Sequence, residues 1–128
     1  AMVRDMVKQD MNLNYDEMNS SIEKLKREPT ADNLWEAVLA FAGYPFETSK
    51  GLEFTYSLKK NRYGEPGNEL VFSRKEKTIT KSTVLKAFEK AVEFNGVVNG
   101  PKKLGTFGAS YLYPVFIRLG VIRFENKE

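Results

Sequence analysis

The chain has 128 residues, of which 41% are hydrophobic and 12% aromatic, which is enough for one domain with a real core. It contains no cysteine and no histidine. This composition excludes disulfide bonds, thiolate nucleophiles and zinc sites built on Cys or His, and it removes the side chain most often used for acid–base catalysis near neutral pH. No stretch approaches the roughly 18 to 20 apolar residues that span a bilayer, and the N-terminus lacks the pattern of a secretory signal. We therefore expect a cytoplasmic protein with no membrane partner.

The formal net charge of +3 is unevenly distributed along the chain. Residues 1–49 carry 5 basic and 9 acidic side chains, whereas residues 50–103 carry 12 basic and 6 acidic ones. A basic middle segment is compatible with a polyanionic partner such as nucleic acid. It is equally compatible with two solvated faces that attract each other or a neighbouring copy of the chain.

The N-terminal third of the domain predicts two helices. Asn14, followed three residues later by Glu17, is typical of a capping box and predicts a helix through about Arg27. Thr30 can cap a second helix that continues to about Ala42 and has a broad apolar face.

The clearest strand lies at residues 52–59, where apolar and polar side chains alternate. Residues 60–68 contain two glycines and a proline, and residues 69–74 return with a second apolar alternation. We interpret residues 51–74 as an antiparallel β-hairpin with a long, mobile, basic tip.

A third helix is predicted over residues 80–95, with Thr80 or Ser82 as its N-cap. Its apolar stripe, which should face the core, is formed by Val84, Leu85, Phe88, Ala91 and Val92. Asn95 and Gly96 end it, since both tolerate the left-handed conformation that follows a helix.

The last helix is predicted to start near Ser110 and to end at Gly120. Pro114 should lie in its first turn, where a missing N–H costs little. Residues 121–124 are apolar enough to add a short strand.

The segment from Leu104 to Ile122 resembles the end of a helix-turn-helix. Within it, Tyr113-Pro114-Val115-Phe116-Ile117-Arg118-Leu119 resembles the recognition-helix segment of PadR-type winged-helix regulators, over residues 108–122. The resemblance implies a DNA-binding helix in the major groove, a supporting helix before it and a hairpin wing on the DNA backbone. In that family the wing follows the recognition helix, whereas the hairpin here precedes it. The alternative is a buried C-terminal helix. That alternative would bury Tyr111, Tyr113, Phe116 and Leu119.

Basic side chains concentrate on the hairpin and on the approach to the third helix. They could contact phosphates together with the amides at the start of that helix, and a tyrosine in the hairpin tip could stack on a base or sugar. The nucleic-acid-binding residues that the sequence predicts are Lys59, Lys60, Arg62, Tyr63, Arg74, Lys75, Lys77, Lys81, Lys102 and Lys103. Ordinary solvated lysines are the alternative interpretation.

The segment Gly100–Thr106 has the glycines of a phosphate-binding loop but lacks the lysine that should follow the second glycine. Pro101 also removes one amide from the cradle, so a nucleotide triphosphatase is excluded. Lys102 and Lys103 remain candidates for simple phosphate contacts.

No nucleophile stands at a diagnostic spacing from a base, so we predict no catalytic residues, no metal ligands and no cofactor. The predicted fold class is α+β, with N-terminal helices, the hairpin and two C-terminal helices around a single core, in an arrangement that the resemblance would make winged-helix-like. The predicted organisation is residues 1–13 as a tail or short docking helix, residues 14–124 as one domain and residues 125–128 as a tail. The periodic apolar faces predict a core formed by Trp35, Leu39, Phe54, Tyr56, Phe72, Val84, Phe88 and Phe116.

The function predicted first is nucleic-acid binding, without a distinction between DNA and RNA. The alternative is a protein-interaction or oligomerisation module. The two differ in what they expose, since a nucleic-acid binder needs one continuous basic face and an interaction module needs a contiguous apolar patch.

Overall fold

The computed structural model describes residues 13–74 and 78–123, and the fold is of the predicted α+β class. The α-helices are α1 (Tyr15–Arg27), α2 (Ala31–Ala40), α3 (Lys81–Glu93) and α4 (Ala109–Leu119). The strands are β1 (Phe46–Glu47), β2 (Glu53–Phe54), β3 (Tyr56–Lys60), β4 (Pro66–Phe72) and β5 (Thr78–Thr80), and a 3₁₀ helix covers Pro101–Leu104. The predicted tails lie outside the described residues, apart from Leu13.

The predicted helix caps on α1, α2 and α3 are confirmed. The Asn14 side chain accepts a hydrogen bond from the Glu17 amide at 3.0 Å, and the Thr30 hydroxyl accepts one from the Asn33 amide at 3.2 Å. Thr80, rather than Ser82, caps α3. Each cap satisfies one of the amides that the first turn of a helix leaves without an internal partner.

The predicted hairpin is present, but its bounds differ from those predicted. Strands β3 and β4 are antiparallel, with Tyr56 opposite Phe72, so the order and direction of the two strands are confirmed. The alternation that began at residue 52 belongs to two strands, because β2 pairs with β1 in a separate two-stranded sheet. The loop is also shorter than predicted, since β4 already starts at Pro66.

Strand β5 was missed by the sequence analysis, which interpreted residues 78–80 as the approach to α3. It pairs with β4 and completes a three-stranded antiparallel sheet. Ile79 is buried while Thr78 and Thr80 are exposed, which is the alternation of a strand. Three residues are too few for that alternation to be recognised without its partner strand.

Pro114 is the sixth residue of α4 and therefore lies beyond the first turn, which corrects the predicted position. A proline there cannot donate to the carbonyl of Ser110. Ser110 is exposed, so water can hydrogen-bond to that carbonyl in place of the missing amide. The predicted end at Gly120 is confirmed by its left-handed conformation.

One cluster of buried side chains connects both sheets with all four helices. Seven of the eight predicted core residues are buried, but Leu39 is 40% exposed and was wrongly assigned. Helix α2 directs Leu34 and Val38 into the core. Leu39 comes one residue later, which rotates its side chain by about 100° away from that face.

In the described part of the predicted terminal strand, residues 121–123, the pairing is one parallel bridge between Val97 and Arg123. The Arg123 amide donates to the Gly96 carbonyl at 2.7 Å, and the Val98 amide donates to the Arg123 carbonyl at 3.2 Å. These bonds hold the chain after α4 against the chain after α3.

Candidate nucleic-acid interface

The tip of the β3–β4 hairpin is ordered by one asparagine side chain. The Asn61 carboxamide oxygen accepts from the Tyr63 amide at 2.8 Å and from the Glu65 amide at 3.0 Å. Gly64 adopts the left-handed conformation, with φ of +80°, which glycine enters at little cost. The five-residue turn is thus closed by its own hydrogen bonds.

This turn presents an aromatic ring to solvent. The Tyr63 side chain is 76% exposed, and the Arg62 guanidinium lies 5.6 Å from the centroid of its ring. An exposed tyrosine beside an arginine offers a flat surface for stacking and a positive charge next to it.

The adjoining part of the hairpin carries carboxylates as well as cations. Lys60 is exposed, while the Lys59 ammonium is 3.7 Å from a Glu69 carboxylate oxygen. Glu65 accepts from the Asn61 side-chain amide at 3.3 Å. Both carboxylates are solvated or only partly buried, so they reduce the positive potential at the tip without cancelling it.

Lys81 is brought towards the same end of the sheet by strand pairing. Glu69 lies opposite Thr80, so the first residue of α3 is placed beside β4. The Lys81 ammonium lies 5.2 Å from the centroid of the Trp35 ring, which is buried as predicted. We call the surface formed by Lys59, Lys60, Arg62 and Tyr63 the hairpin-tip surface, and Lys81 lies at the end of the sheet next to it.

The other predicted basic residues do not all lie with this surface. Arg74 follows the far end of β4, seven strand residues from the tip, which corresponds to roughly 20 Å at the usual rise of a strand. Lys75 and Lys77 lie outside the described residues. Lys102 and Lys103 are exposed on the 3₁₀ helix.

The 3₁₀ helix lies near the opposite end of α3 from Lys81. A Cβ atom at Gly105 would lie 4.0 Å from Cε of Lys90, which belongs to the last turn of α3. Lys81 and Lys90 are nine residues apart, or roughly 14 Å along the helix axis. The described members of the predicted basic set are therefore divided among several parts of the molecule, so that only those at the hairpin tip can share one face.

The outward side of α4 forms a groove that the sequence analysis did not find. The groove has a volume of about 400 Å³ and is lined by apolar parts of Tyr44, Phe46, Pro114 and Ile117. No local pattern could have indicated it, because its two walls are about 70 residues apart in sequence. The resemblance of this helix to a PadR-type recognition helix stays a prediction.

Arg118 is held against one wall of this groove. Its guanidinium lies 5.2 Å from the ring centroids of both Phe41 and Tyr44, and its Nε donates to the Tyr44 hydroxyl at 3.0 Å. The arginine is thereby fixed on an aromatic surface, which limits the positions that its side chain can adopt when a partner binds.

Two buried tyrosines hold the backbone near the end of α2 and before the 3₁₀ helix. The Tyr56 hydroxyl donates to the Val38 carbonyl at 2.6 Å, and the Tyr113 hydroxyl donates to the Val98 carbonyl at 2.8 Å. Burial raises the pKa of Tyr56 well above its ordinary range and raises the pKa of Tyr113 as well. Both phenols therefore stay protonated and act as structural donors at neutral pH.

The described residues contain no group of three or more Asp or Glu side chains placed to hold a metal ion. In the same part of the chain, no helix is long and apolar enough to cross a membrane. No family model, curated protein or solved structure matches this chain.

Proposed function

We propose that the chain binds nucleic acid through the hairpin-tip surface. The observation that carries this proposal is the 76% exposure of Tyr63 in a turn closed by its own hydrogen bonds, with the Arg62 guanidinium beside the ring. Because the turn is already ordered, a base or sugar could stack on Tyr63 without a large cost in conformational entropy.

The cations around Tyr63 suit the phosphates that flank a stacked nucleotide. Lys60 and Arg62 are exposed, and neither forms an ion pair within the described residues. Contacts of this kind provide sequence-independent affinity through release of counterions. We therefore expect the tip to bind the nucleic-acid backbone and not to read base sequence.

A salt titration against single-stranded and duplex DNA and RNA tests this proposal. For the wild type, log affinity should fall linearly with log salt concentration. The double variant Lys60→Ala/Arg62→Ala should reduce the slope by about one unit for each phosphate that is no longer neutralised. The matched control is Lys24→Ala/Arg27→Ala, which removes the same charge from α1 and should leave the slope unchanged.

Tyr63 should matter mainly for single strands, whose bases are accessible for stacking. Tyr63→Ala should weaken single-strand binding by about 1 to 3 kcal/mol while duplex binding changes little. Absence of measurable binding to every nucleic acid at low salt would refute the proposal.

A protein-interaction role is the second candidate function, and the α4 groove favours it. Ile117 is 41% exposed, and it adjoins the apolar surfaces of Tyr44, Phe46 and Pro114. Sedimentation of the wild type and of Ile117→Asp over a range of concentrations tests whether a second copy covers this groove. Self-association that Ile117→Asp abolishes would favour this function, and a monomer at all concentrations would count against association between copies.

A further inference from the structure

A second cavity lies where the last turns of three helices meet. It has a volume of about 330 Å³ and is bounded by the C-terminal ends of α1, α3 and α4. Its apolar lining includes Leu25, Phe88 and Leu119, all of which are buried. A cavity of this size is at the small end of ordinary ligand sites, and it could hold one short-chain or ring-containing molecule.

Val92 forms an exposed apolar wall of this cavity. Its side chain is 53% exposed, although the sequence pattern predicted that it points into the core. A ligand can cover this exposed apolar wall and the buried apolar floor beside it, and the removal of that apolar area from water favours binding.

Two cations stand at the rim of the cavity. Lys26 reaches it from α1, with its Cε 3.4 Å from the position that a Cβ atom would take on Gly120. Arg123 reaches it from the chain after α4, with its Nη1 3.6 Å from the corresponding position on Gly96. The two glycines leave room for these side chains to lie along the rim.

No carboxylate among the described residues of the lining balances the charges at the rim. Within the same part of the chain, neither Lys26 nor Arg123 forms an ion pair. By contrast, the neighbouring lysines Lys24 and Lys90 are paired with Glu36 and Glu93.

Compensation of the helix dipoles is the competing explanation for the two cations, because C-terminal helix ends attract positive charge. It accounts for Lys26 and Arg123 but not for the exposed Val92 or for the apolar floor. A ligand that combines an apolar body with one negative charge uses all of these features.

We propose that this cavity binds a small amphipathic anion, such as an aliphatic or aromatic carboxylate, sulfonate or phosphate ester. The apolar body would rest on Leu25, Phe88 and Val92, and the anionic group would lie between Lys26 and Arg123. The proposal is independent of nucleic-acid binding, since neither cation belongs to the hairpin-tip surface.

The test uses two fluorescent probes that differ in a single charged group. Anilinonaphthalene sulfonate carries the anion, and phenylnaphthylamine has the same ring system without it. The sulfonate should bind the folded protein saturably at one site and more tightly than the neutral probe. Decanoate should displace it, and decanol should be a weaker competitor.

Variants then locate the site. Lys26→Met and Arg123→Met, which keep apolar stems of similar length, should each weaken sulfonate binding by about fivefold to tenfold, as expected when one charge-assisted hydrogen bond is removed. Lys24→Met, on the same helix but outside the cavity, is the matched control and should have no effect. Melting temperatures measured for all variants separate loss of binding from loss of folding.

Three outcomes would overturn the proposal. The first is absence of saturable sulfonate binding. The second is equal affinity for the two probes, which would leave the cations without a role in recognition. The third is sulfonate binding that is unchanged in the Lys26→Met/Arg123→Met double variant, which would place the probe elsewhere on the molecule.

Discussion

Gly108 shows how one residue can constrain the packing of a helix against a sheet. It stands before α4 with φ of +73°, and a Cβ atom there would overlap the side chain of Ile79 on β5. Ile79 is fully buried, so it has little space to move. Gly108→Ala should therefore lower the free energy of unfolding by about 2 to 4 kcal/mol, from backbone strain and overpacking together.

The matched control for this prediction is Gly51→Ala. Gly51 has φ of +83°, but nothing lies within 4 Å of the position of its Cβ. The control should cost only the backbone strain, about 1 kcal/mol. Urea denaturation of both variants measures the difference, and equal losses would mean that the contact with Ile79 relaxes freely.

Through its hydrogen bond to the end of α2, Tyr56 contributes to stability in a way that depends on pH in the alkaline range. Its hydroxyl donates to the Val38 carbonyl, while the Ala42 amide donates to Leu39 instead. Tyr56→Phe leaves that buried carbonyl unpaired and should cost about 1 to 3 kcal/mol at neutral pH.

The pH dependence follows from the raised pKa of Tyr56. Burial keeps the folded phenol protonated, whereas an unfolded tyrosine ionises near pH 10. This group's contribution is therefore fully present below about pH 10 and is lost as the pH rises further. Urea midpoints between about pH 8 and about pH 11 should fall less steeply for Tyr56→Phe than for the wild type. Parallel curves would show that other groups control the alkaline loss.

At the scale of elements, local sequence signals were sufficient to predict the helices but not to predict every strand of the two sheets. Asn14 and Thr30 each mark the start of a helix through a bond to an amide three residues later, so the sequence alone places these two starts. For α3 the sequence left Thr80 and Ser82 open as the N-cap, and the structure has Thr80 there. Strands β1 and β5 have two and three residues, and each is recognisable as a strand only through its pairing with the adjacent strand, β2 or β4. Such pairing has no signature within the short segment itself.

Two residues that the sequence pattern assigned to the same buried stripe of α3 can test which face of this helix packs against the core. Phe88 is 6% exposed and Val92 is 53% exposed. Phe88→Ala should lower the free energy of unfolding by about 3 to 5 kcal/mol, while Val92→Ala should cost less than about 1 kcal/mol. A loss below about 1 kcal/mol for Phe88→Ala would show that the helix is rotated relative to the core.

At the scale of the whole molecule, sequence could predict which residues are basic but not which of them are neighbours. Lys81 adjoins the hairpin because Glu69 pairs with Thr80, and that register depends on a strand that the pattern did not reveal. The α4 groove likewise depends on contact between Tyr44 and Arg118, which are 74 residues apart. Core positions were predictable because burial imposes a local period, whereas exposed surfaces are assembled by tertiary contacts.

The division of the basic residues gives the last prediction. Lys102 and Lys103 lie beside the last turn of α3, whereas the hairpin-tip surface adjoins its first turn. If nucleic acid binds at the tip, Lys102→Ala/Lys103→Ala removes two charges without removing a phosphate contact. The salt slope should then stay at the wild-type value, while Lys60→Ala/Arg62→Ala reduces it by about two units. Equal reductions by both double variants would instead mean that the nucleic acid extends along α3, and that the interface includes the 3₁₀ helix as the sequence analysis first predicted.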